Sequence, residues 1–207
     1  MVNCPKYKKM TFDEKRMIFM EYIKGKYKPL IVYYPASGAD MVPKKVFGET
    51  SVIHLSLPEN EKEVKYLERL GNGIKLLGDM EESPLADSSV DLIWICLRGG
   101  RVNGRALKDF MRVLKKGGLI AVEESQNTDG NRHKWQELLD CFNDLERVEL
   151  PDNFEKPETV YSFSETDAYD SQLVVNSEKE MIDEVSGKGG KYVGYQYVFD
   201  YALFSKR

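Results

Sequence analysis

Apolar positions in this chain fall into short unbroken runs, and the segments between them carry helical spacing. Residues 12–26 hold Met17, Ile18, Phe19, Tyr22 and Ile23 at three-to-four spacing, behind Thr11 or Asp13 as a cap and ahead of Gly25 and Pro29. The run Leu30-Ile31-Val32-Tyr33-Tyr34 suits a strand buried on both faces, and it ends at Pro35-Ala36-Ser37-Gly38-Ala39-Asp40. Val42 and Pro43 can start a short helix. Strands are then expected at 51–55, 74–77, 91–97 and 119–122, with helices at 59–70 and 103–115, the latter capped by Asn103. Strands separated by helix-length segments require right-handed crossovers, so the pattern predicts a doubly wound α/β sheet in three layers.

Beyond residue 122 the pattern changes: a helix is expected at 132–142, a sixth strand at 145–150, and a long alternating strand at 192–204. Residues 151–191 are acidic and rich in Ser and Thr, and read as an insertion or excursion within one domain spanning 1–207. With 207 residues, 42% of them hydrophobic, the chain can bury a core of its own. The formal charge of -4 argues against a general binder of nucleic-acid backbones. Cys4, Cys96 and Cys141 lack metal-site spacing and are odd in number, and His54 and His133 are the only histidines, so neither a disulfide framework nor a metal centre is expected. No apolar stretch is long enough for a membrane span and residues 1–10 are polar, so a soluble cytoplasmic setting is the expectation.

Ligands of an open parallel sheet bind beyond the carboxyl ends of its strands. The first strand ends in small residues that let a ligand approach the backbone, but neither GxGxxG nor GxxxxGK[ST] is present there. The segment Ser83-Pro84-Leu85-Ala86-Asp87-Ser88-Ser89-Val90-Asp91 after Gly78-Asp79-Met80, and the turn Lys115-Lys116-Gly117-Gly118 before the fifth strand, are the most specific features. Together with the loop at 35–40 and the strand Val52-Ile53-His54-Leu55-Ser56, they resemble the class I S-adenosylmethionine-dependent methyltransferases along most of residues 30–122.

That resemblance implies a Rossmann-like fold with a seven-stranded mixed sheet whose last strand is antiparallel. It also implies S-adenosylmethionine as cofactor, with an undetermined methyl acceptor and no catalytic residue that can be named. Pro35, Ala36, Ser37, Gly38 and Asp40 would line the cofactor, Ser56 and Leu57 would stand near the ribose, and Asp79 and Met80 near adenine. Asp40 reads equally as a partner for the methionine ammonium and as a helix cap. Arg98 and Arg101, after the fourth strand, would bind an anionic acceptor or simply be solvated. Glu123 and Glu124 would act on an acceptor proton or solvate the strand end, solvation being the simpler reading.

Three positions depart from the family. Tyr33 and Pro35 stand where an acid and a glycine are common, and Ser56 stands where an acid usually holds the ribose, with Glu59 three residues on. These departures keep open a non-catalytic binding or assembly module of the same fold. Cys96, His54, Trp94 and Trp135 are expected to serve packing, and the tyrosines of the last strand to cover a sheet edge.

Overall fold

A computed structural model describes residues 10–38, 40–57, 61–96, 102–127, 132–155, 158–164, 173–175, 179, 182–183, 186 and 193–207. After the two-residue strand β1 (Met10–Thr11), helix α1 (Phe12–Tyr27) starts from a capping box: the Thr11 hydroxyl accepts from Glu14 N at 3.1 Å and the Glu14 carboxylate accepts from Thr11 N at 2.7 Å. It stops at Lys28, whose left-handed backbone (φ 51) turns the chain into Pro29.

The parallel part follows as β2 (Val32–Pro35), α2 (Val42–Phe47), β3 (Val52–Ser56), α3 (Glu61–Arg69), β4 (Ile74–Leu77), β5 (Val90–Cys96), α4 (Gly104–Val113) and β6 (Leu114–Asn127). Asn103 caps α4, its side-chain oxygen accepting from Arg105 N and Ala106 N at 3.0 Å. The remainder is α5 (Arg132–Asp140), β7 (Glu146–Arg147), α6 (Asp152–Glu155), β8 (Glu158–Ser164), β9 (Leu173–Val175) and β10 (Val193–Ser205).

One sheet takes the order β1-β9-β8-β10-β6-β5-β2-β3-β4, with β7 joined to β10. Strands β4, β3, β2, β5 and β6 are parallel, and the last strand β10 runs antiparallel to both β6 and β8. Seven principal strands of four or more residues thus form a mixed sheet, while β1, β7 and β9 are marginal pieces of two or three residues. Strand order reverses between β2 and β5, which places the ligand crevice at the carboxyl ends of β2 and its neighbours.

Alternate residues of the central strands feed two cores. Tyr34, Val52, Leu92 and Trp94 meet Phe19 and Ile23 of α1 and Val46 of α2 on one face, and Tyr33, Ile53, Ile93 and Ile95 meet Phe110 and Val113 of α4 on the other. Trp94 lies between Phe19 (5.6 Å) and Phe47 (6.1 Å), and half-buried Trp135 packs on the second core, so both serve packing.

Two expectations change. Residues 145–150 contribute only β7, and the strand that flanks β10 comes from 158–164, inside the segment read as an excursion. For that reason β10 is an interior strand, and buried Phe199 and Tyr201 belong to the first core and do not cover an edge. Among the described residues no helix is long and apolar enough to cross a membrane.

Candidate functional site

The tip of β2 is built by an unusual backbone. Ala36 (φ 50) and Gly38 (φ 54) both take the left-handed conformation, and Asp40 N closes the turn onto Ser37 O at 3.1 Å. For alanine that conformation costs about 1–2 kcal/mol, a strain that clusters at ligand sites. Pro35 is buried beneath the turn, and Ser37 is only 5% exposed with no hydrogen-bond partner for its hydroxyl among the described residues.

The adjacent tip of β3 repeats this arrangement. Ser56 is 2% exposed and its hydroxyl likewise has no partner among the described residues, while Leu57 beside it is exposed. Ser56 O accepts from Gly78 N at 3.0 Å, which draws the end of β4 toward β3. A side chain at position 78 would meet Pro84 Cδ at 3.0 Å, a contact tight enough that the proline ring would have to give way by a few tenths of an ångström. Asp79 follows, exposed, with Oδ1 accepting from Glu81 N at 2.9 Å in a turn, and half-buried Met80 packs against the second core.

The loop carrying Asp79 and Met80 is pinned to α4. The Ser83 hydroxyl donates to buried Asp109 at 2.5 Å, and Arg112 donates to Leu85 O at 2.6 Å, Ser83 O at 2.9 Å, Asp87 at 2.9 Å and Asp109 at 2.7 Å. Burial, and then Asp109, push the Tyr33 hydroxyl well up from its ordinary range, so it stays neutral beneath this loop.

A cluster of charges lies on the α1 side of the β2 tip. Arg16 is fully buried; its Nε donates to Glu123 Oε1 and its Nη2 to Asp40 Oδ2 at 2.7 Å. Asp40 also accepts from the Tyr34 hydroxyl at 2.7 Å and, through Oδ1, from Val42 N at 2.9 Å at the start of α2. Burial works against the charge of Arg16, but Glu123, Cys96, Asp40 and Tyr34 outweigh it and hold the guanidinium well above its ordinary pKa. Burial also opposes the charge on Asp40, yet Arg16 brings that carboxyl down to about 2.

Measured against the sequence expectations, Pro35, Ala36, Ser37, Gly38, Ser56, Leu57, Asp79 and Met80 lie along the ends of β2, β3 and β4. Asp40 precedes Met41, the N-cap of α2, so it is not itself the cap residue; its carboxylate accepts from Val42 N and is committed to Arg16 and Tyr34. Arg98, Arg101 and Glu59 lie outside the described residues. Glu123 is not solvated: it is 0% exposed because α1 delivers Arg16 to it, and Glu124 is buried as well. Arg16 itself was missed. The signal was its spacing, since position 16 falls on the same helical stripe as Phe12, Phe19, Met20 and Ile23.

Residues 45–122 match a family model described as a methyltransferase domain, a span that begins after the β2 tip and ends in β6. No curated protein matches the sequence. Among solved structures, the YcgJ protein from Bacillus subtilis superposes with TM-score 0.57 at 12% identity, covering 93% of this chain and 98% of that one. Geranyl diphosphate C-methyltransferase from Streptomyces coelicolor A3(2), solved with Mg2+, geranyl-S-thiolodiphosphate and S-adenosyl-L-homocysteine, gives TM-score 0.51 at 14% identity, covering 94% and 76%. The [4+2]-cyclase SpnF gives TM-score 0.52 at 11% identity, covering 93% and 82%. The strand order, the pinned loop after β4 and the match over residues 45–122 give this chain the Rossmann-like fold of the class I S-adenosylmethionine-dependent methyltransferases.

Proposed function

We propose that this chain is a soluble, cytoplasmic methyltransferase that binds S-adenosylmethionine across the carboxyl ends of β2, β3 and β4. The observation that carries the reading is the pair of buried hydroxyls, Ser37 and Ser56, unpartnered among the described residues on adjacent strand tips beside a strained left-handed turn. A buried hydroxyl without a partner costs about 1–3 kcal/mol, and an adenosyl ligand lying over the tips supplies the missing oxygens.

In this arrangement the backbone of residues 35–38 lies along the cofactor, Ser56 and Leu57 flank its ribose, and Asp79 and Met80 meet the adenine edge and face. The cofactor brings an activated methyl group on a sulfonium, so the protein's task is alignment of acceptor and methyl with water kept out. Arg112 and Asp109 hold the adenine loop in place for this. The acceptor enters beyond β5, where Arg98 and Arg101 follow in the sequence and suit an anionic molecule.

Titration calorimetry with S-adenosylmethionine and S-adenosylhomocysteine tests the reading. Saturable heat below millimolar ligand is expected, and no heat at millimolar concentration overturns it. That second outcome supports a module of the same fold without a cofactor, a reading favoured by one observation: Asp40, the acid nearest the tip, is already neutralised by the protein's own Arg16.

A further inference from the structure

At the amino ends of the parallel strands, opposite the proposed cofactor cleft, cations gather around an exposed apolar residue. Strands β2, β5, β6 and β10 are neighbours in the sheet, so the segments that enter or leave them adjoin. Asp91 in β5 ties two of these segments together: its Oδ2 accepts from Leu30 N at 3.2 Å and Ile31 N at 2.8 Å, and its Oδ1 from Lys115 Nζ at 2.7 Å. The turn after Lys116 is tied to the chain beyond β10, with Gly117 N donating to Lys206 O at 2.8 Å and Lys206 N to Gly118 O at 3.0 Å.

The acids on this side are matched or lie at its margins. Asp91 pairs with Lys115, and Glu146, beside the end of β10, pairs with Arg207 at 3.3 Å. Glu49, ahead of β3, lies 4.0 Å from Lys44, and exposed Asp144 precedes β7 on the far side of β10 from β2. Lys26, Lys28 and Lys116 are exposed and pair with no carboxylate among the described residues, while Lys206 Nζ donates to the carbonyls of Met111 and Leu114 at 2.6 Å and keeps its charge. This is a local positive excess in a chain whose formal charge is -4. The end of α1 accounts for a basic residue at position 26, but not for Lys116.

Leu30 stands within this excess at 73% exposure, the highest of any large apolar residue among those described. Beside it Tyr22 and Tyr27 meet edge to face at 6.5 Å, and Lys26 Nζ lies over both rings at 5.4 Å and 5.1 Å. A single exposed leucine needs no explanation, but lysines and tyrosines around one match the chemistry of a membrane interface. There an apolar tip enters the acyl region, rings sit at headgroup depth, and ammonium groups meet anionic headgroups. A nucleic-acid backbone would engage the lysines and leave Leu30 in water.

We propose that this face docks reversibly on an anionic lipid surface, with Leu30 inserted and Lys26, Lys28 and Lys116 on the headgroups. The crevice lies at the opposite ends of the same strands, so docking leaves it open. The proposal does not depend on the cofactor reading.

Flotation with phosphatidylcholine vesicles, with and without about 30% phosphatidylserine, tests it at low salt and at about 0.5 M salt. The expected result is binding to the phosphatidylserine vesicles alone, lost at high salt. Lys28→Glu combined with Lys116→Glu should weaken that binding about tenfold or more, and Leu30→Ser should weaken it several-fold. All three positions are exposed, so melting curves should match the native chain; Lys28→Gln with Lys116→Gln replaces the double reversal if that variant does not fold. Absence of binding to the anionic vesicles overturns the proposal, as does equal binding to both vesicle types or binding that persists in the folded double variant. Vesicle binding untouched by Leu30→Ser, together with equally tight binding of a DNA duplex, would make the face a general polyanion site and overturn the lipid assignment.

Discussion

His54 sits in β3 with its ring 5.8 Å from that of Tyr34, fully buried, and neither ring nitrogen has a partner among the described residues. Burial, seconded by Lys44, brings its pKa down from 6.5 to about 4. The unfolded chain therefore takes up a proton below pH 6.5 that the folded chain refuses until about pH 4, and stability falls as pH drops through that window. The full effect is about 3 kcal/mol. Asp40 acts in a separate window. Its carboxyl is lowered to about 2, so its contribution of about 2 kcal/mol is complete above its unfolded pKa near 4 and disappears between about 4 and 2. Thermal denaturation at a series of pH values should show both limbs. His54→Phe should flatten the one from 6.5 to 4 and leave the lower one in place; an unaltered upper limb would remove His54 as its cause. At this scale the sequence was only partly legible. His54 was readable as a structural residue because it stands inside an apolar strand, whereas the pairing of Arg16 with Glu123 joins positions 107 residues apart and has no local signature.

Among the elements, the loop between β4 and β5 carries the most consequence. It holds Asp79 and Met80, has little regular structure, and keeps its shape through α4: Asp109 accepts from Ser83, and Arg112 spans the carbonyls of Ser83 and Leu85. Removing the buried carboxylate in Asp109→Ala strands these donors and should cost about 2–3 kcal/mol, read in chemical denaturation. On the proposed cofactor reading the same change should weaken S-adenosylhomocysteine binding about tenfold, since the loop assigned to adenine would lose its support. Full affinity at reduced stability would show that the clamp serves folding alone. The helix starts were legible because caps are local: Thr11 with Glu14, and Asn103, bond within three residues of themselves. Strand lengths were not. The fifth strand looked four residues long by its apolar run, but β6 covers 14 residues because β10 pairs with it as far as Asn127. Residues 145–150 yielded only β7, which pairs Phe204 and Ser205 at the end of β10, while β8 pairs residues 193–199 of the same strand.

For the whole molecule, β10 is the element that joins the parallel sheet to the later strands, pairing β6 on one side and β8 and β7 on the other. It also supplies buried residues to both cores, Phe199, Tyr201 and Leu203 to one and Ala202 and Phe204 to the other. A chain ending at residue 192 should therefore lose its cooperative thermal transition, as followed by circular dichroism, and a retained sharp transition would contradict this account of the sheet. Fold alone leaves the chemistry open, as the likeness to both a methyltransferase and a [4+2]-cyclase illustrates. The α/β class, the parallel strands, the helix caps and the places of Ser37, Ser56 and Asp79 at strand ends were determined by the sequence itself, because each depends on periodicity or on neighbours a few residues away. Which strand flanks β10, the burial of Glu123, and the engagement of Asp40 by Arg16 were decided only by the tertiary structure, because each depends on which distant segment reaches a vacant sheet edge or an unpaired charge first, and a single chain's pattern does not record that competition.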